Sequence, residues 1–196
     1  MPSISENIFS MLFRKEWTPR PSDQVNSASQ LDGLLERVAA FYRDRLDIQI
    51  QASVRPSCIR LDSELPTGVT GLASWTLQTP GNRISNVCIR LMPGDSTLCT
   101  AAVLSHEVFH IMSAGWQLKL TQKHEEGMAN LAQYLFLRHE TGPEAAFLAT
   151  ALHQDDNPIY GDGFREARQV YRREASFRRT MAAFGSPGKA GRQGER

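Results

Sequence analysis

The sequence has few cysteines, no long hydrophobic run and almost no net charge, and each of these absences excludes a class of protein. Its 196 residues include three cysteines, without a Cys-x-x-Cys pair, which argues against a disulfide framework and against a cysteine-ligated zinc site. No apolar stretch reaches the roughly 18 residues that a membrane-spanning helix requires. A formal net charge of +1 gives no overall field that would attract nucleic acid or an anionic membrane. We therefore expect a cytoplasmic protein of a reducing compartment, with export by a non-classical route as the alternative.

Three segments of different composition divide the chain. Residues 1–28 contain an apolar cluster too short for a secretory signal, followed by a proline-containing linker, and they predict an N-terminal arm. This arm is expected to pack on the domain as a helix, or alternatively to act as a detachable, inhibitory segment. Residues 29–184 show regular periodicity and are enough for one domain with its own core. Residues 185–196 are rich in glycine and basic residues and are predicted to be a disordered tail.

The periodicity of the central segment predicts a small N-terminal sheet followed by a mostly helical part. Alternating apolar residues predict strands at 48–60, 68–78 and 84–91. Helical spacing predicts helices at 27–47, 97–114, 124–141, 144–153 and 164–184, with a loop at 155–163. The helix at 97–114 is apolar nearly all round, which indicates that it is buried. The predicted fold class is therefore α+β in a single domain.

The predicted buried helix carries the pattern His-Glu-x-x-His at His106, Glu107 and His110. Residues four apart lie on one face of a helix, so both imidazoles can reach one metal ion, and imidazole suits zinc. Glu107 is placed to act as the general base of a hydrolysis rather than as a ligand. The pattern predicts a zinc-dependent metallopeptidase that cleaves protein or peptide substrates. Because the pattern also arises by chance, the alternative is a core histidine pair with a surface glutamate.

A catalytic zinc site takes three protein ligands, and the next predicted helix begins with His124-Glu125-Glu126-Gly127. We predict Glu126 as the third ligand, because the small Gly127 beside it leaves room for two helices to approach closely. A glutamate supplied by a second helix is the gluzincin arrangement. Glu125 lies on another face of the helix and is expected to pair with solvent or substrate. His124 is the alternative ligand.

Further predictions concern the surroundings of the metal. Asn130 lies four residues after Glu126, and it is expected either to accept the ring N–H of a ligand histidine or to fill a polar gap. Peptide hydrolysis also requires a donor for the oxyanion. The candidates for that donor are Tyr134, His153, Tyr160 and Tyr171. The predicted strand at 84–91 is expected to offer its edge to an extended substrate.

These motifs, together with Tyr-Gly-Asp-Gly-Phe-Arg at residues 160–165, resemble the C-terminal peptidase domain of the plant LIM-domain growth regulators called DA-one. That family consists of zinc metallopeptidases activated by ubiquitin, and the resemblance runs from about residue 71 to about residue 184. It implies a gluzincin-like peptidase domain that cleaves proteins at limited sites. The implied ligands of Zn²⁺ are His106, His110 and Glu126, and the implied catalytic glutamate is Glu107. The resemblance also places the loop of Tyr160 beside the site, and we therefore take Tyr160 as the catalytic donor.

The chain differs from the DA-one family in showing no cysteine-rich LIM module and no ubiquitin-interacting helices upstream. Ubiquitin or a ubiquitinated protein is therefore a partner that the resemblance alone implies. Nucleic acid and membranes are not expected as partners, in keeping with the balanced charge. The alternative function is a catalytically silent or latent zinc-binding module for protein interaction.

Overall fold

The computed structural model describes residues 19–78 and 83–185, which form a mostly helical structure with a small sheet. In chain order the elements are α1 (Ala28–Leu46), β1 (Ile59–Leu61), β2 (Gly71–Gln78), β3 (Arg83–Leu91), α2 (Thr97–Gly115), α3 (Gln122–His139), α4 (Pro143–Gln154), α5 (Tyr160–Glu174) and α6 (Phe177–Phe184). The predicted α+β class is confirmed. No helix in this part of the chain is long and apolar enough to cross a membrane. The predictions for residues 1–18 and 186–196 lie outside the described residues.

The sheet has the strand order β1-β3-β2, so β3 is its central strand. β1 runs parallel to β3, with Ile59 opposite Ile89, and β2 runs antiparallel to β3, with Ala73 opposite the same residue. β3 is paired with β2 along most of its length but with β1 only at residues 89–91, and β2 is an outer strand. The prediction that the strand at 84–91 offers its edge to a substrate is therefore wrong for residues 89–91, and among the described strands it stays a prediction for the remainder of the β1-side edge.

The strand predicted at residues 48–60 is also mostly wrong, because only Ile59–Leu61 pairs with the sheet. A 3₁₀ turn at Pro56–Cys58 precedes this short strand, since proline lacks the amide proton that a ladder needs. The apolar residues before the turn, such as Ile48 and Val54, are buried without pairing. Their alternation therefore reflects packing on the core rather than a strand.

Helix α2 lies at the centre of the molecule, as its composition predicts. Every residue from position 99 to position 113 is buried, and α1, β2, β3 and α3 all contact this helix. The N-cap of this helix is Ser96, whose Oγ accepts a hydrogen bond from the backbone N–H of Cys99 at 3.0 Å. Inside the core, the hydroxyl of Tyr42 in α1 donates a hydrogen bond of 2.7 Å to the carbonyl oxygen of Ser105 in α2. Burial raises the pKa of this tyrosine, so the hydroxyl stays a donor.

Helices α3 and α5 cross in backbone contact at Gly127 and Gly163. A Cβ atom built on Gly127 would press on the carbonyl group of Gly163 and lie 2.9 Å from its Cα. A Cβ on Gly163 would in turn press on the carbonyl oxygen of Lys123. The sequence correctly predicted that Gly127 permits two helices to approach closely, but it predicted the wrong second helix. The glycine faces α5, and not the helix that carries the histidines.

The C-terminal helix predicted at 164–184 is in fact two helices, and the first of them starts earlier than predicted. The side-chain oxygen of Asn157 accepts the backbone N–H groups of Ile159 and Tyr160, which allows α5 to begin at Tyr160. The segment at 160–165 is thus the first turns of a helix and not a loop. Ala175 adopts a left-handed conformation with φ of 50°, and this ends α5 before α6 begins.

Candidate metal centre

Two helices bring three predicted ligands together in the interior of the protein. The Nε2 atoms of His106 and His110 in α2 lie 3.1 Å apart. The Oε2 atom of Glu126 in α3 lies 3.4 Å from the first of these nitrogens and 3.5 Å from the second. All three side chains are at most 2 % exposed. Three ligand-type atoms therefore form a nearly equilateral triangle between α2 and α3.

The size of this triangle fits one tetrahedral zinc ion. Zinc binds nitrogen and carboxylate oxygen at about 2.0–2.2 Å, so neighbouring ligand atoms of a tetrahedral site stand roughly 3.3 Å apart. The three observed separations, from 3.1 to 3.5 Å, agree with that value. Two imidazoles and one carboxylate also match the donor set of catalytic sites, which keep a fourth position open. The described residues thus fit a metal ion, and their donor atoms fit zinc.

The local sequence explains why the ligands converge. His106 and His110 are about one helical turn apart in α2, which places both rings on one face. The side chain of Thr121 caps α3 by accepting the N–H of His124 at 3.2 Å, and this sets the start of the helix. Glu126 then falls in the second turn of α3, on the side that faces α2.

Glu107 lies next to the triangle and is held by the sheet. Its Oε2 atom accepts a hydrogen bond of 2.8 Å from the backbone N–H of Ala73 in β2. A Cβ on Gly71 would lie 2.9 Å from the Oε1 atom of Glu107 and 2.5 Å from Val103, so only glycine fits there without a shift. The carboxylate is therefore held between α2 and the first residues of β2, beside the triangle and not within it.

Glu125 contacts the outer nitrogen of a ligand histidine, which the sequence prediction did not foresee. Its Oε1 atom lies 3.4 Å from Nδ1 of His110. With the proton on Nδ1 directed at this carboxylate, Nε2 presents its lone pair to the metal position. The corresponding atom of His106, Nδ1, has no hydrogen-bond partner among the described residues. The two histidines therefore differ in whether a side chain fixes the orientation of the ring through Nδ1.

The charges of this cluster act strongly on one another. Burial raises the pKa of Glu107, even though two histidines and the Ala73 amide oppose this change. Burial would also raise the pKa of Glu126, but the neighbouring imidazoles outweigh it and hold that pKa well below its usual value. Burial would lower the pKa of His110, but the carboxylates of Glu126 and Glu125 raise it above its ordinary value. Buried carboxylates around two imidazoles form a setting that favours a bound cation.

Two predicted neighbours of the site take other roles. The Nδ2 atom of Asn130 donates to the carbonyl oxygen of Tyr160 at 3.3 Å, and its Oδ1 has no partner among the described residues. Asn130 thus joins α3 to the start of α5 instead of supporting a ligand histidine. Tyr160 is buried at this junction, beside Asn130, which lies one turn along α3 from Glu126. Its role as the catalytic donor stays a prediction.

The alternative candidates form separate clusters. Tyr134 and His153, two of the oxyanion candidates, pack edge to face with ring centroids 5.1 Å apart, and both contact Phe164. His124, the alternative ligand, stacks on Phe184 at 4.5 Å, and its Nε2 lies 3.5 Å from the carboxylate of Glu166. Among the described residues, the cluster of side chains that could hold a metal ion consists of His106, His110 and Glu126, and it does not include His124.

Sequence patterns alone did not reveal the residues that hold this cluster in place. Gly71 and Ala73 come from a strand about thirty residues before the motif, and Tyr42 comes from α1. Gly71 carried a signal, since it begins the stretch that resembles the DA-one domain. Tyr42 carried none, because a tyrosine on the apolar face of a helix is a common core residue.

Comparisons with known proteins give little further information. No protein-family model matches the chain, and no solved structure matches it. One curated protein is similar, the peptide-N(4)-(N-acetyl-beta-glucosaminyl)asparagine amidase of Rattus norvegicus, with 30% identity over 109 residues. The match covers 54% of this chain and 16% of that amidase. The chain thus spans about a sixth of the relative's length, and the similarity does not assign it to a family.

Proposed function

We propose that the protein is a zinc-dependent endopeptidase of gluzincin type. The observation that carries the proposal is the triangle of His106 Nε2, His110 Nε2 and Glu126 Oε2, with sides of 3.1, 3.4 and 3.5 Å. A glutamate held by the backbone lies beside this triangle, which is the combination that metal-assisted hydrolysis requires. The proposed fold is that of a zincin, and the proposed metal is Zn²⁺.

Each residue of the site has a separate role in the proposed reaction. His106, His110 and Glu126 would hold the ion, which supplies a Lewis acid for the scissile carbonyl and an acidified water. Glu107 takes the proton of that water on the oxygen that does not bind Ala73, and passes it to the leaving amine. The amide of Ala73 fixes the orientation of the carboxylate throughout. Glu125 holds the ring of His110 in one tautomer.

An extended substrate would pair with β2 rather than with β3. β2 is an outer strand, and the N–H of Ala73 points away from β3 toward Glu107. The outward groups of the residues that follow Ala73 in β2 are then available to a peptide running along the strand. Such pairing places the peptide backbone beside the general base.

Two alternatives remain for the same site. The first is the zinc-binding interaction module without turnover, in which the ligands serve stability only. The second is amidase activity on N-linked glycopeptides, which the name of the rat relative suggests. A peptidase and this amidase both hydrolyse an amide bond, so one metal site is compatible with either reaction.

The test compares the wild type with Glu107→Gln and with Glu36→Gln, a change of the same kind at an exposed position of α1. We expect about one zinc ion per chain in all three proteins. We expect cleavage of an unfolded protein substrate by the wild type and by Glu36→Gln, and a loss of about 10²–10⁴-fold in Glu107→Gln. Removal of the metal with a chelator should abolish cleavage, and added zinc should restore it.

Each alternative has its own outcome in this experiment. Full zinc occupancy without cleavage of unfolded proteins would favour the silent module. Release of glycan from an N-glycosylated peptide, with its backbone left intact, would favour the amidase. Equal cleavage by the wild type and Glu107→Gln would show that the activity does not come from this site.

A further inference from the structure

The C-terminal ends of α1, α3 and α5 converge on one surface groove at a distance from the metal centre. The groove has a volume of about 380 Å³. Six of its lining residues are Arg45, Leu46, Leu135, Arg138, His139 and Tyr171. Leucine side chains form its floor, and arginine side chains stand at its rim. We call this surface the basic groove.

The two arginines of the basic groove have no carboxylate partner within ion-pair distance among the described residues, whereas six other arginines do. Elsewhere, Arg37 pairs with Glu140, Arg90 with Asp62, and Arg165 with Asp162. Arg45 and Arg138 make no ion pair with any described residue, and no carboxylate lines the groove itself. The carboxylate of Asp44 acts electrostatically on Arg45 and His139, but its hydrogen bond goes to Arg43. A free anionic group can therefore approach both guanidinium groups without first displacing an internal partner.

The C-terminal ends of the three helices explain why basic residues are found here, but the partial negative charges of these ends do not neutralise the basic side chains. Basic residues are favourable in the last turn of a helix, because the unpaired carbonyls carry about half a negative charge. α1, α3 and α5 each end in basic residues, and the three ends lie together. A full charge on each guanidinium exceeds the half charge of a helix end, so the groove remains positive. In keeping with this field, burial and then the charges of Arg168, Arg172 and Arg138 lower the pKa of nearby His153.

We propose that the basic groove binds an acidic segment of a protein partner, with an apolar side chain flanked by Asp or Glu. The apolar floor takes the apolar side chain, and Arg45 and Arg138 pair with the flanking carboxylates, since arginine binds carboxylates with two parallel hydrogen bonds. Nucleic acid fits the groove less well. A nucleic-acid surface usually neutralises six to ten phosphates, and the groove offers only a few cations on a chain of net charge +1.

The basic groove is separate from the proposed catalytic site. Arg138 and the metal ligand Glu126 lie on the same helix, α3, twelve residues apart in sequence. Because an α-helix rises 1.5 Å per residue, these two positions are roughly 18 Å apart along the axis. Substitutions in the groove therefore leave the metal ligands in place, and the binding test does not depend on any peptidase activity.

The experiment measures binding of a fluorescein-labelled peptide, Glu-Asp-Glu-Leu-Asp-Glu-Asp, to the full chain by fluorescence polarisation. The reference peptide has Gln and Asn in place of Glu and Asp. The test protein carries Arg45→Glu and Arg138→Glu. The control protein carries Arg20→Glu, at an exposed arginine eight residues before the first residue of α1, whereas Arg45 is next to its last residue. Circular dichroism and zinc content confirm that each variant is folded.

We expect the acidic peptide to bind at least about tenfold more tightly than its neutral counterpart, through two charge pairs on a partly apolar surface. The double variant should lose this preference, and Arg20→Glu should keep it. Equal binding of the two peptides, or an equal effect of the groove and control variants, would overturn the proposal. Preferential binding of an unlabelled DNA or RNA oligonucleotide in competition would overturn it in favour of nucleic acid.

Discussion

Replacing Gly127 with alanine should disturb both the stability of the protein and its metal site. The new Cβ would press on the carbonyl group of Gly163 and lie 2.9 Å from its Cα, whereas ordinary carbon contacts are about 3.5–4.0 Å. α3 and α5 must therefore separate by up to about 1 Å, since both contacts are with backbone. Overpacking of this kind costs about 2 kcal/mol, which in a chain of this size lowers the melting temperature by about 4–8 °C.

The metal site should respond because Glu126 is adjacent to Gly127. Ligand distances must stay within about 0.2 Å of their proper values, so a shift of α3 should weaken zinc binding by about tenfold or more. Differential scanning fluorimetry and a competitive zinc titration measure the two effects.

Gly33→Ala is the matched control for this change. A Cβ on Gly33 meets no atom within 4 Å, and an exposed Gly→Ala change in the middle of α1 should stabilise the protein by about 0.5–1 kcal/mol. The steric argument predicts opposite signs for the two substitutions. If Gly127→Ala melts no lower than the wild type and binds zinc equally well, then the backbone contact between α3 and α5 does not exist as described, and the reasoning is refuted.

Two further predictions test contacts around the centre. Glu125→Gln removes the carboxylate that contacts Nδ1 of His110, and it should weaken zinc binding about 10–100-fold in a competitive titration. The control Glu36→Gln, at an exposed position, should have no effect on zinc binding. Equal zinc affinities of the wild type and Glu125→Gln would show that the 3.4 Å contact has no role in binding. Tyr42→Phe removes the buried hydrogen bond to Ser105 and should lower the free energy of unfolding by about 1 kcal/mol in urea titrations. Tyr171→Phe, at a partly exposed tyrosine, should be near neutral, and an equal loss in both variants would contradict the assigned bond.

The sequence was most informative where the chemistry depends on local spacing. The apolar character of residues 97–114 predicted a buried helix, and the four-residue spacing predicted that His106 and His110 share a face. Both inferences need only the geometry of a helix. The choice of Glu126 depended on the small Gly127 beside it. The structure does place this carboxylate against both imidazoles, although Gly127 itself contacts α5.

The sequence was least informative where a residue's role depends on which element packs against it. Gly127 was assigned to the wrong helix–helix contact, because a glycine signals close approach without naming the partner. The alternation at residues 48–55 predicted a strand, but the same pattern arises when an irregular segment lies over a core. The strand at 84–91 was correctly located, yet its place in the middle of the sheet follows from pairing with two distant segments.

The proposed centre depends on contacts between parts of the chain that are far apart in sequence. His106 and His110 are fixed by one helix, but the carboxylate between them requires α3 to meet α2 at the correct height. The position of α3 depends on its contact with α5 at Gly127 and Gly163, and the position of α2 depends on its packing against α1 and the sheet. Glu107 likewise has its orientation only because β2 presents the amide of Ala73, 34 residues away in the sequence. A short motif can therefore supply the reactive groups, whereas their distances are properties of the whole folded domain.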